Sequence, residues 1–217
     1  MNCIELTNVS KYFGKKKVID NVSYCFECGK IYGLVGNNGC GKSVLFKMIS
    51  GLMKTTYGEI KVSGVEICKQ GNMPKDIGIL IETPGFLPDL TGFQNLKELA
   101  SIRNIIGSKD IENILKVVSL YDSKDTKVKN YSLGMLQRLG VAQSLMEKPK
   151  ILLLDEPFNS MDEDGVLEMR QIIKNYVKKN NVTMLISSHN KEDINILADK
   201  IIILKNGKFD EVIDKKI

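Results

Sequence analysis

A glycine-rich segment followed by lysine and serine is the strongest chemical signal in the sequence. Residues 36–43 read Gly-Asn-Asn-Gly-Cys-Gly-Lys-Ser and match the phosphate-binding pattern G-x-x-x-x-G-K-S. Glycines let backbone N–H groups close around phosphate oxygens. Lys42 can then offer a cation to the β- and γ-phosphates, and Ser43 can offer its hydroxyl to Mg²⁺. The pattern therefore predicts a nucleotide site formed by Gly36, Asn37, Asn38, Gly39, Cys40, Gly41, Lys42, Ser43 and Val44.

Two acidic residues after an apolar run predict the second part of the same chemistry. Residues 151–157 read Ile-Leu-Leu-Leu-Asp-Glu-Pro. Carboxylates that follow a buried strand of an α/β sheet lie at the edge where ligands bind. Asp155 would hold Mg²⁺ through water, and Glu156 would activate the attacking water as a general base. Taken alone, the two acids could instead cap a helix.

The single histidine, His189, follows a third apolar run at 182–186 and two serines. If that run is a parallel strand, His189 lies at the same edge of the sheet and near a γ-phosphate. Position alone leaves a structural or surface role equally open for a lone histidine.

The elements that must position these residues follow from the apolar pattern. Short β-prone runs predict strands over 2–10, 17–26, 31–35, 77–81, 150–154, 182–187 and 200–204. Hairpins are predicted over 58–69, with its turn at Ser63-Gly64, and at Asn206-Gly207. Helical spacing predicts a helix from the phosphate loop to a C-cap at Gly51, and others over 92–104, 109–120, 133–147, 162–180 and 191–199. This alternation predicts an α/β fold with an antiparallel β portion at the start.

Composition bounds the class of protein. The 217 residues are 43% hydrophobic and 26% charged, with a net charge of +5, which excludes a disordered, collagen-like or disulfide-miniprotein chain. The absence of a long apolar run excludes a channel or permease formed by this chain alone, and no signal peptide is expected. Lysines are scattered and arginines are few, so no nucleic-acid partner is expected. Five cysteines without a secretion signal predict reduced thiols in the cytoplasm, and Cys25-x-x-Cys28 is more typical of a turn than of a metal or redox pair.

The order of these motifs resembles the nucleotide-binding subunits of ABC transporters over nearly the whole chain. Residues 131–138, Tyr-Ser-Leu-Gly-Met-Leu-Gln-Arg, occupy the place of the signature that separates this family from other P-loop proteins. The usual form is L-S-G-G-Q followed by x-Q-R. Leu133 and Met135 replace a glycine and the glutamine, whereas Ser132, Gly134, Gln137 and Arg138 match the family form.

The resemblance implies roles for single residues. Phe13 matches the aromatic residue that stacks on adenine, with Tyr12 as the rival, and Val18 would line the same pocket. Ser132 and Gly134 would contact a γ-phosphate. The segment 159–162 is similar to the loop through which two protomers sense each other, and His189 matches the histidine that reads the γ-phosphate.

Glu82 departs from the family pattern. It follows the strand ending near residue 81 and replaces the usual glutamine, so it is a third candidate Mg²⁺ ligand with Ser43 and Asp155. A carboxylate binds Mg²⁺ more strongly than an amide but repels the γ-phosphate. Together with the altered signature and the short chain, this glutamate makes the sequence resemble the branch of the family that serves lantibiotic self-protection and bacitracin-type export.

The resemblance implies one ABC ATPase domain over 1–217. It would be a P-loop NTPase core with an N-terminal antiparallel β subdomain, in about 1–82 and 148–217, and an inserted α-helical signature subdomain in about 83–147. The chain would bind and hydrolyse ATP with Mg²⁺, as a head-to-tail ATP-dependent homodimer. It would lie in the cytoplasm, on the inner face of the cell membrane, and power a separate permease that exports a lantibiotic or another antimicrobial peptide. A soluble ABC ATPase, for example of the iron–sulfur assembly type, and a P-loop phosphotransferase are the alternatives.

Overall fold

Two β-sheets form the framework of the computed structural model, which describes residues 2–67, 72–82 and 84–215. The first sheet is antiparallel, with the strand order β2-β1-β4-β5. Its strands are β1 (Asn2–Phe13), β2 (Lys16–Glu27), β4 (Tyr57–Val62) and β5 (Val65–Glu66). The turn between β4 and β5 is at Ser63 and Gly64, as predicted, and both have positive φ. The last residues of the predicted hairpin, Cys68 and Lys69, lie outside the described residues.

The second sheet has the order β10-β9-β3-β8-β7-β6 and is parallel except for β10. Its strands are β3 (Ile31–Val35), β6 (Ile77–Leu80), β7 (Ile151–Asp155), β8 (Thr183–Ser187), β9 (Lys200–Lys205) and β10 (Lys208–Asp214). All residues of β7 and β8 are buried, which explains why these strands read as unbroken apolar runs. The turn at Asn206 and Gly207 joins β9 to β10 as predicted.

Helices cover both faces of the parallel sheet. They are α1 (Lys42–Ile49), α2 (Gly92–Arg103), α3 (Ser108–Val117), α4 (Leu133–Leu145), α5 (Glu163–Asn180) and α6 (Lys191–Leu197). Side-chain caps mark four of the starts, because Thr91, Ser132, Asp162 and Asn190 each accept a hydrogen bond from the first turn. Helix α1 ends with Ser50 at the C-cap, one residue before the predicted Gly51, whose φ is 81°. Within the described ranges, no helix combines the length and apolar character needed to cross a bilayer.

The core has two parts, one on each face of the parallel sheet. Leu153 of β7 packs with α1 and the antiparallel sheet, whereas Leu152 and Leu154 pack with α2 to α6. This alternation follows from the two-residue repeat of a strand. The fold class is thus confirmed, as a P-loop NTPase core with an N-terminal antiparallel β portion and an inserted helical portion.

The prediction of reduced cysteines is wrong for two residues. Cys3 and Cys28 form a disulfide, with their Cα atoms 5.1 Å apart and a sequence separation of 25. The antiparallel pairing of β1 with β2 sets Asn2 opposite Glu27 and so brings the two cysteines together. The C-x-x-C spacing therefore does not describe the bond, and Cys25 is free and exposed.

Candidate nucleotide site

The phosphate loop joins β3 to α1, as its pattern predicts. Gly39 and Gly41 have φ values of 75° and 115°, a region that side chains with a Cβ rarely adopt. The N–H of Cys40 donates to the carbonyl of Asn37 at 3.1 Å and closes the turn. A Cβ on Gly36 would lie 2.4 Å from the carbonyl oxygen of Leu204. The loop therefore packs closely against β9. The N-terminus of α1, which follows the loop, can bind an anion.

Lys42 is buried at the first position of α1 and turns back over the loop. Its Nζ donates to the carbonyl oxygen of Gly36 at 2.7 Å. A cation is thus held where the N-terminal partial charge of α1 also favours an anion. This position suits the terminal phosphates of a nucleotide.

A cavity of about 260 Å³ at this loop brings together three motifs that are far apart in sequence. Its walls include the phosphate loop, the acidic pair at the end of β7 and the histidine that follows β8. The lining residues are Val18, Asn38, Gly39, Gly41, Lys42, Ser43, Val44, Asp155, Glu156 and His189. The predicted phosphate-binding loop, the two acids and the histidine therefore line one site.

Ser187 organises the acidic pair, although no motif singles it out. Strand pairing places Ser187 of β8 opposite Asp155 of β7. Its hydroxyl donates to Oδ1 of Asp155 at 2.5 Å and accepts from the N–H of Glu156 at 3.1 Å. Glu156 itself has a φ of 52°. Ser187 therefore holds the side chain of Asp155 and the backbone of Glu156, a role that only the strand register could have revealed.

Glu156 and His189 form the reactive end of the cavity. Oε2 of Glu156 accepts from the backbone N–H of His189 at 2.9 Å. Oε1 lies 3.3 Å from Nε2 of His189, but the geometry does not make a hydrogen bond and this oxygen is buried without a partner. Burial raises the pKa of the Glu156 carboxyl, and the N–H and charge of His189 oppose that rise. A desolvated carboxylate with one free oxygen is suited to accept a proton from water.

The same geometry predicts a stability change. Below the ordinary glutamate pKa, Glu156 is protonated in both the folded and the unfolded chain. As the pH rises toward the raised pKa of the folded state, Glu156 ionises first in the unfolded chain, so the free energy of unfolding falls. Glu156→Gln removes this buried charge. We expect the variant without nucleotide to melt roughly 2–4 °C higher near pH 8. Calorimetry near pH 4 should show little difference, and an equal gain at both pH values would contradict the explanation.

Ser43 and Asp155 offer the oxygen ligands that suit Mg²⁺, and both line the phosphate cavity. Among the described residues no group of three or more His, Cys, Asp or Glu is placed to hold a metal ion. Ser43 and Asp155 are the predicted protein ligands, beside phosphate oxygens and water. A bound Mg²⁺ neutralises charge on the β- and γ-phosphates.

Glu82 lies in a neighbouring cavity. This cavity, of about 500 Å³, is also lined by Asp155 and Glu156. Glu82 has a φ of 64° and forms an ion pair with Lys47 of α1. The structure thus brings Glu82 near the acids but binds it to a lysine, and its role as a metal ligand stays a prediction.

The residues predicted for adenine lie on the first hairpin. Phe13 ends β1 with 47% of its surface exposed, and Nζ of Lys11 lies 5.2 Å from its ring centre. Tyr12 instead packs edge-to-face on Tyr57, with ring centres 5.9 Å apart. Phe13 stays the predicted stacking partner, and Val18 of the same hairpin lines the phosphate cavity.

The signature segment lies outside this cavity. Ser132 caps α4, and its hydroxyl accepts from the N–H of Met135 at 3.2 Å. Leu133 is 67% exposed, and a Cβ on Gly134 would be 3.1 Å from the carbonyl of Ser160. None of the described residues that line the phosphate cavity comes from 131–138. The segment instead borders the acids in the neighbouring cavity, through Leu133, Leu136 and Gln137. Nε2 of Gln137 also donates to the carbonyl of Glu156 at 3.0 Å.

A family model described as "ABC transporter" matches residues 19–159, which is more than half of the chain. The chain belongs to the ABC transporter family. Membership makes it an ATP-binding subunit with ATP hydrolase activity that uses Mg²⁺ and works with a membrane permease.

Relatives of this ABC transporter subunit match nearly its full length. It is 43% identical over 216 residues to an uncharacterized ABC transporter ATP-binding protein, YybJ, of Bacillus subtilis (strain 168), covering 98% of this chain and 99% of that one. It is 38% identical over 211 residues to the bacitracin transport ATP-binding protein BcrA of Bacillus licheniformis, covering 97% and 69%. It is 37% identical over 205 residues to the lantibiotic transport ATP-binding protein SrtF of Streptococcus pyogenes, covering 94% and 88%.

Solved ABC cassettes share the fold. The ATP-binding cassette MJ0796, in a dimeric post-hydrolysis structure bound to ADP and Pi, has a TM-score of 0.85 at 25% identity, over 97% of this chain and 98% of that one. A second dimeric structure of MJ0796 has a TM-score of 0.87, also at 25% identity and with the same coverage.

Proposed function

We propose that this ABC subunit hydrolyses ATP to power a permease that exports, or gives immunity to, a lantibiotic or other antimicrobial peptide. The observation that carries the ATPase assignment is the single cavity shared by the phosphate loop, Asp155, Glu156 and His189. The bacitracin and lantibiotic transport relatives support the peptide class. No contact in the described chain favours the iron–sulfur alternative.

The proposed mechanism assigns each group one task. The loop N–H groups and Lys42 bind and orient the phosphates, where developing charge is stabilised. Glu156 accepts the proton of the attacking water at its unpartnered Oε1. His189 holds the other oxygen of Glu156 through its backbone N–H and keeps its ring beside the γ-phosphate position. Ser187 keeps both acids in place.

We propose a head-to-tail dimer for the active state. Ser132 and Gly134 do not line the phosphate cavity of their own chain, and Leu133 beside them is exposed. A second protomer that offers this surface would complete the γ-phosphate contacts. The dimeric state of the MJ0796 structures supports the proposal of a dimer.

The segment 82–105 is proposed as the permease contact, with the chain on the cytoplasmic face of the cell membrane. Phe86 packs partly against the core, but Leu87 is 56% exposed. Buried Asn95 fixes this loop, because its side chain accepts from the N–H of Leu87 at 2.8 Å and donates to the carbonyl of Leu87 at 3.0 Å. A rigid loop with an outward leucine suits a short permease helix. The subdomain division at about 82 and 148 stays part of this proposal.

The test is co-expression with the candidate permease and purification in detergent. We expect the permease to co-purify with the parent chain, and Leu87→Asp to reduce its recovery about tenfold by placing a charge in an apolar contact. Val65→Asp, an equally exposed position on β5, is the matched control and should change nothing. Equal recovery of both variants would refute this contact surface.

The same strains test the substrate class. Cells that carry the subunit and permease should tolerate more lantibiotic or bacitracin than cells that carry Glu156→Gln. Equal sensitivity to a panel of such peptides, with the permease present, would overturn the peptide assignment while leaving the ATPase intact.

A further inference from the structure

An ion pair links Glu82 to Lys47, a residue that no motif singles out. Nζ of Lys47 and Oε1 of Glu82 lie 2.5 Å apart, and the side chain of Lys47 is 26% exposed. Lys47 is in the last turn of α1. The carboxylate that replaces the usual glutamine is therefore held on the helix that the phosphate loop begins.

The position of Lys47 on α1 relates it to the predicted metal ligand Ser43. Residues four apart lie on the same face of a helix, and Lys47 is four residues after Ser43. The rise along a helix places them about 6 Å apart in the axial direction. Glu82 is thus tied to the helix whose first turn carries Ser43.

The surrounding charges explain why this lysine matters. Glu82 shares its cavity with Asp155 and Glu156, so three carboxylates border one space. Lys42 is committed to the carbonyl of Gly36. Lys47 is the cation paired with Glu82 in the described chain, and it offsets the repulsion that the other carboxylates exert.

We infer that Lys47 is a positioning residue for the metal site, which holds Glu82 on α1 and competes with Mg²⁺ for its carboxylate. This inference rests on the proposed Mg²⁺ role of Ser43 and Asp155. Without Lys47, Glu82 is free to turn toward the ion. The lysine thereby sets how much Mg²⁺ the nucleotide site requires, a control that a glutamine at position 82 would not need.

The experiment measures binding rather than turnover. A fluorescent ATP analogue is titrated with Mg²⁺ in the parent chain and in Lys47→Met, Lys47→Arg, Glu82→Gln and the double variant Lys47→Met with Glu82→Gln. We expect Lys47→Met to lower the half-saturating Mg²⁺ concentration roughly three- to fivefold, the scale of a partly exposed ion pair. Lys47→Arg keeps the charge and should behave as the parent.

The double variant separates positioning from local charge. When Glu82 is glutamine, adding Lys47→Met should change the Mg²⁺ requirement less than about twofold, because the competing carboxylate is gone. An equal shift in both backgrounds would show that Lys47 acts only through its charge and would overturn the inference. So would an unchanged requirement in Lys47→Met. If the parent chain binds no nucleotide at all, the proposed function fails instead.

Discussion

Glutamine in place of Glu156 is expected to lower ATP turnover by about 10²- to 10⁴-fold, the contribution of a general base. The amide has the size of the carboxylate but cannot accept the proton of water. ATP binding should persist, because the phosphate contacts come from Lys42 and the loop. ATP that is bound but not hydrolysed should therefore hold two protomers together. Phosphate release gives the turnover, and gel filtration with ATP gives the dimer.

Glu211→Gln is the matched control, since it makes the same chemical change at an exposed position of β10. It should hydrolyse ATP as the parent does and form no long-lived dimer. Normal turnover in Glu156→Gln would remove Glu156 from its role as the base. Slow turnover without a dimer would preserve that role and contradict the head-to-tail assembly.

Lys42→Met is expected to weaken ATP binding by roughly 10- to 100-fold and to abolish measurable turnover. A hydrogen bond from a charged group is worth about 1.5–3 kcal/mol, and the charge that develops during phosphoryl transfer increases its value. Methionine keeps the length of the chain and its buried packing but offers no donor. Isothermal titration with ATP and Mg²⁺ measures the binding loss.

Lys178→Met provides the comparison for Lys42→Met, because Lys178 is exposed in the last turn of α5. It removes one positive charge without a loop contact and should bind ATP as the parent does. Binding of ATP by Lys42→Met with parental affinity would show that this lysine does not reach the phosphates.

The local parts of the site could be predicted from sequence. The loop around Gly41, the start of α1 at Lys42 and the acids after β7 depend on neighbours in sequence, so spacing alone defines them. The meeting of these groups with His189 required only that parallel strands end at the same edge of a sheet. The resemblance supplied the family and the functional class.

The rest depends on contacts between distant residues. Ser187 supports Asp155 through the register of β8 against β7, which the sequence does not encode in any short pattern. Lys47 meets Glu82 across 35 residues. The Cys3–Cys28 bond likewise follows from the register of β1 and β2. Surface lysines and cysteines carry no local mark of their partners, so only the fold could reveal these pairs.

The hydrogen bond from Gln137 to the carbonyl of Glu156 could couple ATP hydrolysis at the two sites of a dimer. In the proposed dimer, Ser132 at the N-cap of α4 would contact the nucleotide of the opposite protomer. Gln137, further along the same helix, is hydrogen-bonded to Glu156, the proposed general base of its own protomer. In such a dimer, a displacement of α4 at one nucleotide would move the loop that carries the base of the other site. The rate of hydrolysis should then depend sigmoidally on ATP concentration. The hydrogen bond of Gln137 would be the contact that produces this cooperativity.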